Sequence, residues 1–108
     1  MKYPVRMTSA AWRDLEEICI WIADHDSPAK AGHVLDRLAQ TAEKISIFPH
    51  RGSRPNELPE GTEAEFRQVY FKPYRLIYEV AGREVVIHLV CDVRRNLQSL
   101  LMRRILGR

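Results

Sequence analysis

At 108 residues, with 45% hydrophobic and 29% charged side chains, the chain suits one ordinary globular domain, expected to run over 1–108 and able to bury a real core. No window approaches the roughly 20 apolar residues of a bilayer span, and Met1-Lys2-Tyr3-Pro4-Val5-Arg6 lacks a secretory apolar core, so a cytoplasmic protein without membrane association is expected. The net charge of +3 is unevenly spread: residues 1–64 hold 8 Lys/Arg against 10 Asp/Glu, residues 65–108 hold 9 against 4. From Val93 onward there are five arginines and no acid. That asymmetry points to an anionic partner, nucleic acid or an acidic protein segment, about as readily as to a solvated basic face. Cys19 and Cys91 make neither a disulfide framework nor a zinc site, and are expected as buried reduced thiols. No metal or cofactor is expected.

In chain order, Tyr3 to Met7 alternates and predicts a short strand, with Pro4 suited to an edge. Thr8 or Ser9 offers an N-cap. Ala11, Leu15, Ile18 and Ile22 then recur at helical spacing, flanked by Trp12 and Cys19, with Arg13, Asp14, Glu16 and Glu17 assigned to solvent. Asp24-His25-Asp26 ends this helix, and Ser27-Pro28 starts a second one with a cap and a first-turn proline. Ala31, Val34/Leu35, Leu38, Ala42 and Ile45 carry its apolar stripe, and it should stop near Ile47, before Pro49. So short a link makes the pair an antiparallel hairpin, packed on something flat. Residues 49 to 64, with three prolines and two glycines, read as a long irregular connection of the kind that is often functional or partly mobile. Arg51 and Arg54 lie within it.

Three runs follow: Glu65 to Phe71, Tyr74 to Val80 and Glu84 to Asp92. Tight turns between them predict an antiparallel meander. Its second and third runs are apolar on both parities, so both faces should be covered. Val93-Arg94-Arg95-Asn96 leads into a terminal helix over about Leu97 to Leu106, with Asn96 as N-cap. Leu97, Leu100, Leu101 and Ile105 fall on one side of that helix and Arg103 and Arg104 on the other. The fold class is therefore α+β: a small antiparallel sheet, an N-terminal helical hairpin packed on it, and a short C-terminal helix.

No strong catalytic motif is present. There is no glycine-rich phosphate loop, nucleophile elbow or zinc helix. His88 and Asp92 share strand parity, which in a straight strand puts them on one face but too far apart to bond; a satisfied strand histidine is the expected reading. Arg75 is more informative, because a charge inside the apolar run Tyr74-Arg75-Leu76-Ile77-Tyr78 must pair or bind. Arg67 on the preceding run, and Arg94 and Arg95 past the following one, would make with it an anion site able to grip phosphate or carboxylate. Internal neutralisation by Glu79, Glu65 or Asp92 has equal weight.

Phe48-Pro49-His50-Arg51-Gly52, Phe66-Arg67, Tyr74-Arg75-Leu76-Ile77-Tyr78 and the strand with its double-arginine ending, Val85 to Arg95, in that order and spacing, resemble the RelE/ParE superfamily of bacterial type II toxins. The resemblance covers nearly the whole chain. It implies a β-α-α-β-β-β-α toxin, held in a hetero-oligomer by an antitoxin whose C-terminal segment wraps it. In the mRNA endonucleases resembling RelE, the strand and post-strand arginines correspond to Arg75 and Arg95, while two strand lysines fall on Phe66 and Gln68 and a terminal tyrosine on Leu101. Arg67, Arg75 and Arg95 would stabilise charge, but arginine is a poor base, and leucine supplies no proton chemistry. The resemblance therefore implies the ParE branch: a non-enzymatic poison of DNA gyrase, neutralised by a ParD-like antitoxin, with possible indirect contact with DNA. An endonuclease, or a relative that only binds its antitoxin, are the alternatives. The expected partner-binding residues are Arg67, Arg75, Arg94, Arg95, Leu97, Leu101, Arg103 and Arg104. The antitoxin is expected along a groove between the hairpin and the terminal strands that suits an amphipathic helix with acidic flanks. The basic end, Arg94 to Arg108, is expected to meet gyrase, with an acidic antitoxin tail as its alternative partner.

Overall fold

The computed structural model describes residues 2–106. The elements run β1 (Val5–Met7), α1 (Ser9–His25), α2 (Pro28–Ile47), β2 (Glu65–Phe71), β3 (Tyr74–Ala81), β4 (Glu84–Asp92) and α3 (Leu97–Leu101), followed by a π-helical turn, Met102–Leu106. Both long helices start as their sequences dictate. Thr8 Oγ1 accepts from Ala11 N at 3.1 Å, and Ser27 Oγ from Lys30 N at 3.1 Å with Pro28 in the first turn, so donors left over at each helix start are satisfied.

The sheet order is β1-β4-β3-β2. The meander is antiparallel throughout, with Phe71 opposite Tyr74 across a cis Lys72–Pro73 turn and Ala81 opposite Glu84 across a two-residue turn. Gly82 in that second turn has φ +63°, a left-handed conformation glycine adopts without steric cost. The edge differs from a wholly antiparallel sheet. β1 lies parallel to β4, Val5 to Met7 opposite Val85 to Ile87, which makes the sheet mixed. Alternation within a strand shows which side chains share a face, but not which remote strand it will join.

The sheet is covered on both faces, as the double-parity runs required. On one face Leu15, Ile22, Leu38 and Ile45 of the hairpin pack on Leu76, Tyr78, Val85 and Ile87. On the other, Leu97 and Leu101 pack on Phe66, Ile77 and Leu89. Each buried Leu or Ile of this kind contributes about 1.5–3 kcal/mol of transfer free energy.

Two local features depart from regular expectation. Ile77 faces Leu89 while Tyr78 faces Ile87, so the register skips His88 and β4 bulges there. The bulge turns the imidazole toward Phe66, at 5.4 Å between rings, and Nε2 lies 2.9 Å from Glu79 Oε1. His88 thus leaves the face of Asp92, and the shared parity expected for that pair fails because a bulge inserts one residue. The terminal helix keeps α geometry only to Leu101 before widening into the π turn.

The 49–64 connection is tied down at several points. The buried Tyr78 hydroxyl donates to Pro49 O at 2.8 Å and accepts from Gly52 N at 3.1 Å. Ser53 and Gln68 exchange two backbone hydrogen bonds, of 3.2 and 2.7 Å, across the β2 edge. A Cβ on Gly52 would sit 2.7 Å from Gln68 O and 2.8 Å from the Tyr78 hydroxyl, so the close approach requires glycine.

Candidate partner-binding site

β1 pairs with only the first part of β4, which leaves the edge from His88 to Asp92 uncovered by a strand. α1 passes along one side of that edge and the terminal helix along the other. Between them lies a groove of about 640 Å³, with Asp14, Glu17 and Trp21 on its helical flank, Tyr74, Val90 and Asp92 at its base, and Arg94, Arg95, Leu100 and Arg104 on the far side. The backbone groups of the open edge are bonded within the groove. Asp14 Oδ2 accepts from Val90 N at 3.1 Å, and Arg104 Nη1 donates to His88 O at 2.6 Å. Arg104 also grips both oxygens of Asp14, at 3.0 and 2.7 Å, tying the terminal turn to α1. Asp14 is therefore a structural ligand and not the solvent-side charge its helical position implied.

The remaining groove charges are more open. Asp92 Oδ1 accepts from Arg94 N at 2.8 Å and Nε at 3.0 Å, and Oδ2 from Nη2 at 3.0 Å. The Arg94 hydrogen bonds hold the Asp92 carboxyl below its ordinary value. Arg94 nevertheless keeps 87% of its side chain in solvent. Arg95 and Arg13 are exposed on the rim and form no ion pair among the described residues. Trp21 is 61% exposed, with its ring stacked at 4.4 Å on His25. Cationic rim, exposed indole and the apolar surfaces of Tyr74, Val90 and Leu100 together suit an apolar peptide with acidic neighbours.

The structure separates the eight residues that the sequence brought together. Arg94, Arg95 and Arg104 line the groove. Arg103 is exposed, and Arg108, which closes the basic end, lies outside the described residues. Leu97 and Leu101, expected at a partner surface, are buried in the lower core instead. Helical spacing gave those two leucines one common side, and the sheet occupies it. Arg67 and Arg75 fall on opposite faces, because Arg67 pairs with Tyr78 in the hairpin layer while Arg75 sits opposite Tyr70 in the layer beneath. The continuous arginine cluster therefore does not form.

The two arginines on the meander strands themselves are neutralised internally. Arg67 Nε donates to Glu65 Oε2 at 2.7 Å and its Nη1 to Gly52 O. Arg75, 9% exposed, donates to both oxygens of Glu57 at 3.1 and 3.3 Å and to Gln68 Oε1, with its guanidinium 5.6 Å from the Tyr70 ring centre. Hydrogen bonding to Arg75 holds the Glu57 carboxyl below its usual range, and the Arg67 hydrogen bond does the same for Glu65. Glu65 is a partner the sequence proposed for this set. Glu57 is not, because the loop carries three acids, Glu57, Glu60 and Glu63, and nothing in their spacing says which folds back.

Comparison with known proteins agrees with this architecture. Residues 5–97 match the family described as the ParE toxin of the type II toxin–antitoxin system parDE. Toxin ParE3 of Caulobacter vibrioides is 27% identical over 88 residues, covering 82% of this chain and 84% of that protein. Among solved structures, the chromosomal ParDE toxin–antitoxin system of P. aeruginosa superposes with a TM-score of 0.71 at 20% identity, over 86% of this chain and 98% of that one. The toxin–antitoxin complex RelBE2 of Mycobacterium tuberculosis gives 0.57 at 26% identity, over 85% and 99%. With a family match spanning nearly all of its ordered elements, the chain belongs to the ParE toxin family of type II toxin–antitoxin systems.

Proposed function

We propose that this toxin works by holding another protein rather than by breaking a bond: it is a ParE-type poison of DNA gyrase, kept silent by a ParD-like antitoxin. The antitoxin's C-terminal segment, apolar with acidic flanks, lies in the groove between α1 and the terminal turn, its carboxylates beside Arg94 and Arg95. The observation carrying the reading is the fate of Arg75. Cleavage of RNA at a 2′-hydroxyl needs a base, an acid and a cation on the reacting phosphate. Arg75 is occupied by Glu57 and Gln68, Arg67 faces the other side of the sheet, and Leu101 is buried with 0% exposure.

The 26% identity to the toxin–antitoxin complex RelBE2 favours one competing reading, an mRNA endonuclease using Arg67, Arg75 and Arg95 on the ribosome. Purified toxin tested on gyrase supercoiling and in a translating lysate separates the two. Stabilised gyrase cleavage complexes with intact message are expected. Ribosome-dependent cuts with supercoiling unaffected would establish the endonuclease instead. Neutralisation is expected to appear as a toxin–antitoxin hetero-oligomer on size exclusion.

A further inference from the structure

We propose that a second protein-docking surface lies at the opposite end of the sheet from the groove, built from Lys44, Ile47, Phe48 and Arg51, and that it takes an acidic protein surface with an apolar socket. It rests on the reading above in one respect only: this partner is the toxin's target and not its antitoxin. Phe48 is 63% exposed and Ile47 42%, adjacent at the end of α2, where a second, shallow cavity also involves Pro49, His50 and Arg51. None of these residues touches the first groove. Tyr74 lines that groove, whereas Tyr78, roughly 13 Å further along β3 at about 3.3 Å per residue, holds the Phe48 loop.

The backbone beneath the patch is pinned by hydrogen bonds, which distinguishes it from an aromatic on an unanchored loop. Phe48 N donates to Lys44 O at 2.9 Å, and Arg51 N to Phe48 O at 3.1 Å. Pro49 and Gly52 are fixed by the buried Tyr78 hydroxyl, and Arg67 donates to Gly52 O. With its backbone already fixed, an aromatic with few rotatable bonds loses little entropy on docking, and such residues dominate interface energetics.

Charge selects the partner. Glu43 is engaged by Lys2, and Glu65 by Arg67 and His50. Lys44 and Arg51 form no ion pair among the described residues. The apolar centre is thus rimmed by unpaired cations, which favour carboxylates on the other side and speed encounter.

The test uses the full chain with its antitoxin. A Phe48→Ser/Arg51→Glu variant is expected to fold with an unchanged urea midpoint, to co-purify with antitoxin as wild type does, and to lose growth arrest and gyrase inhibition at least tenfold. Lys44→Glu/Arg51→Glu, which keeps the aromatic, checks the charge rim and is expected to lose several-fold. Killing as efficient as wild type by both variants overturns the proposal, as does loss of antitoxin binding by either. A concentration-dependent dimer of wild type that the variants abolish would also overturn it, assigning the patch to self-association. If the functional reading itself were wrong, wild type would leave gyrase uninhibited, whatever it did to growth. Failure of this proposal alone would instead leave wild type and both variants equally effective against gyrase.

Discussion

Arg75 shows how a residue conspicuous in sequence can find its partner within the chain. Its strand position required a partner, and the partner is Glu57, 18 positions earlier in an irregular loop. One atom, Nε, stays buried without a hydrogen bond, a cost the three contacts of the terminal nitrogens offset. The pair gives a pH test with a definite sign. Glu57 has a folded-state value held below its ordinary 4.5, so its stabilisation is complete above about pH 5 and is lost as pH falls through the depressed value. Glu57→Gln is expected to lower the urea-unfolding free energy by about 1–2 kcal/mol at pH 7. The gap to wild type should close in acid, where both chains lack the carboxylate charge. A gap equally large at pH 3 would mean that glutamine fails for reasons of shape.

Elements were legible to the extent that local chemistry decides them. Ser27-Pro28 and Pro49 bound α2 as read, and the apolar runs became strands, because caps, ring constraints and alternation act within a few residues. The bulge at His88 was not legible, since the contact that accompanies it is nonlocal: the His88 carbonyl is bonded by Arg104, 16 residues on. The π turn follows the same logic. An α-helical wheel placed Arg104 away from the core leucines, whereas the wider turn accompanies its contact with Asp14. The groove's edge is thereby blunted by side chains in place of a neighbouring strand. The 49–64 connection gives the sharpest test at this scale. Gly52→Ala drives a methyl against backbone Gln68 O and the Tyr78 hydroxyl, and should cost about 1–3 kcal/mol as overpacking. Tyr78→Phe removes the hydroxyl from Pro49 O and Gly52 N, with a loss of roughly 1–3 kcal/mol from unsatisfied groups. Because both act on one contact, the double variant should lose less than the sum, and thermal melts of the three chains measure that coupling.

For the molecule as a whole, charge asymmetry pointed to the C-terminal third but could not show which arginines remain open once folded. Arg67 and Arg75 are closed by acids, and the rim of the groove keeps Arg94 and Arg95 outward. Arg95 offers the cleaner probe, since its guanidinium forms no ion pair among the described residues. Arg95→Ala should therefore leave the melting temperature of free toxin unchanged. A synthetic antitoxin C-terminal segment binds the folded state alone, so it should raise that temperature with concentration, and less for the variant than for wild type. An exposed pair of this kind is worth about 0.5–1 kcal/mol, which sets the expected affinity loss at roughly two- to fivefold in low salt. Screening shortens from about 10 Å at 0.1 M to about 3 Å at 1 M salt, so the two chains should converge as salt is raised while the apolar part of the contact, over Trp21 and Leu100, persists. Equal binding by both chains at every salt concentration would show that the antitoxin is held by the floor of the groove and that the arginine rim plays no part in drawing it in.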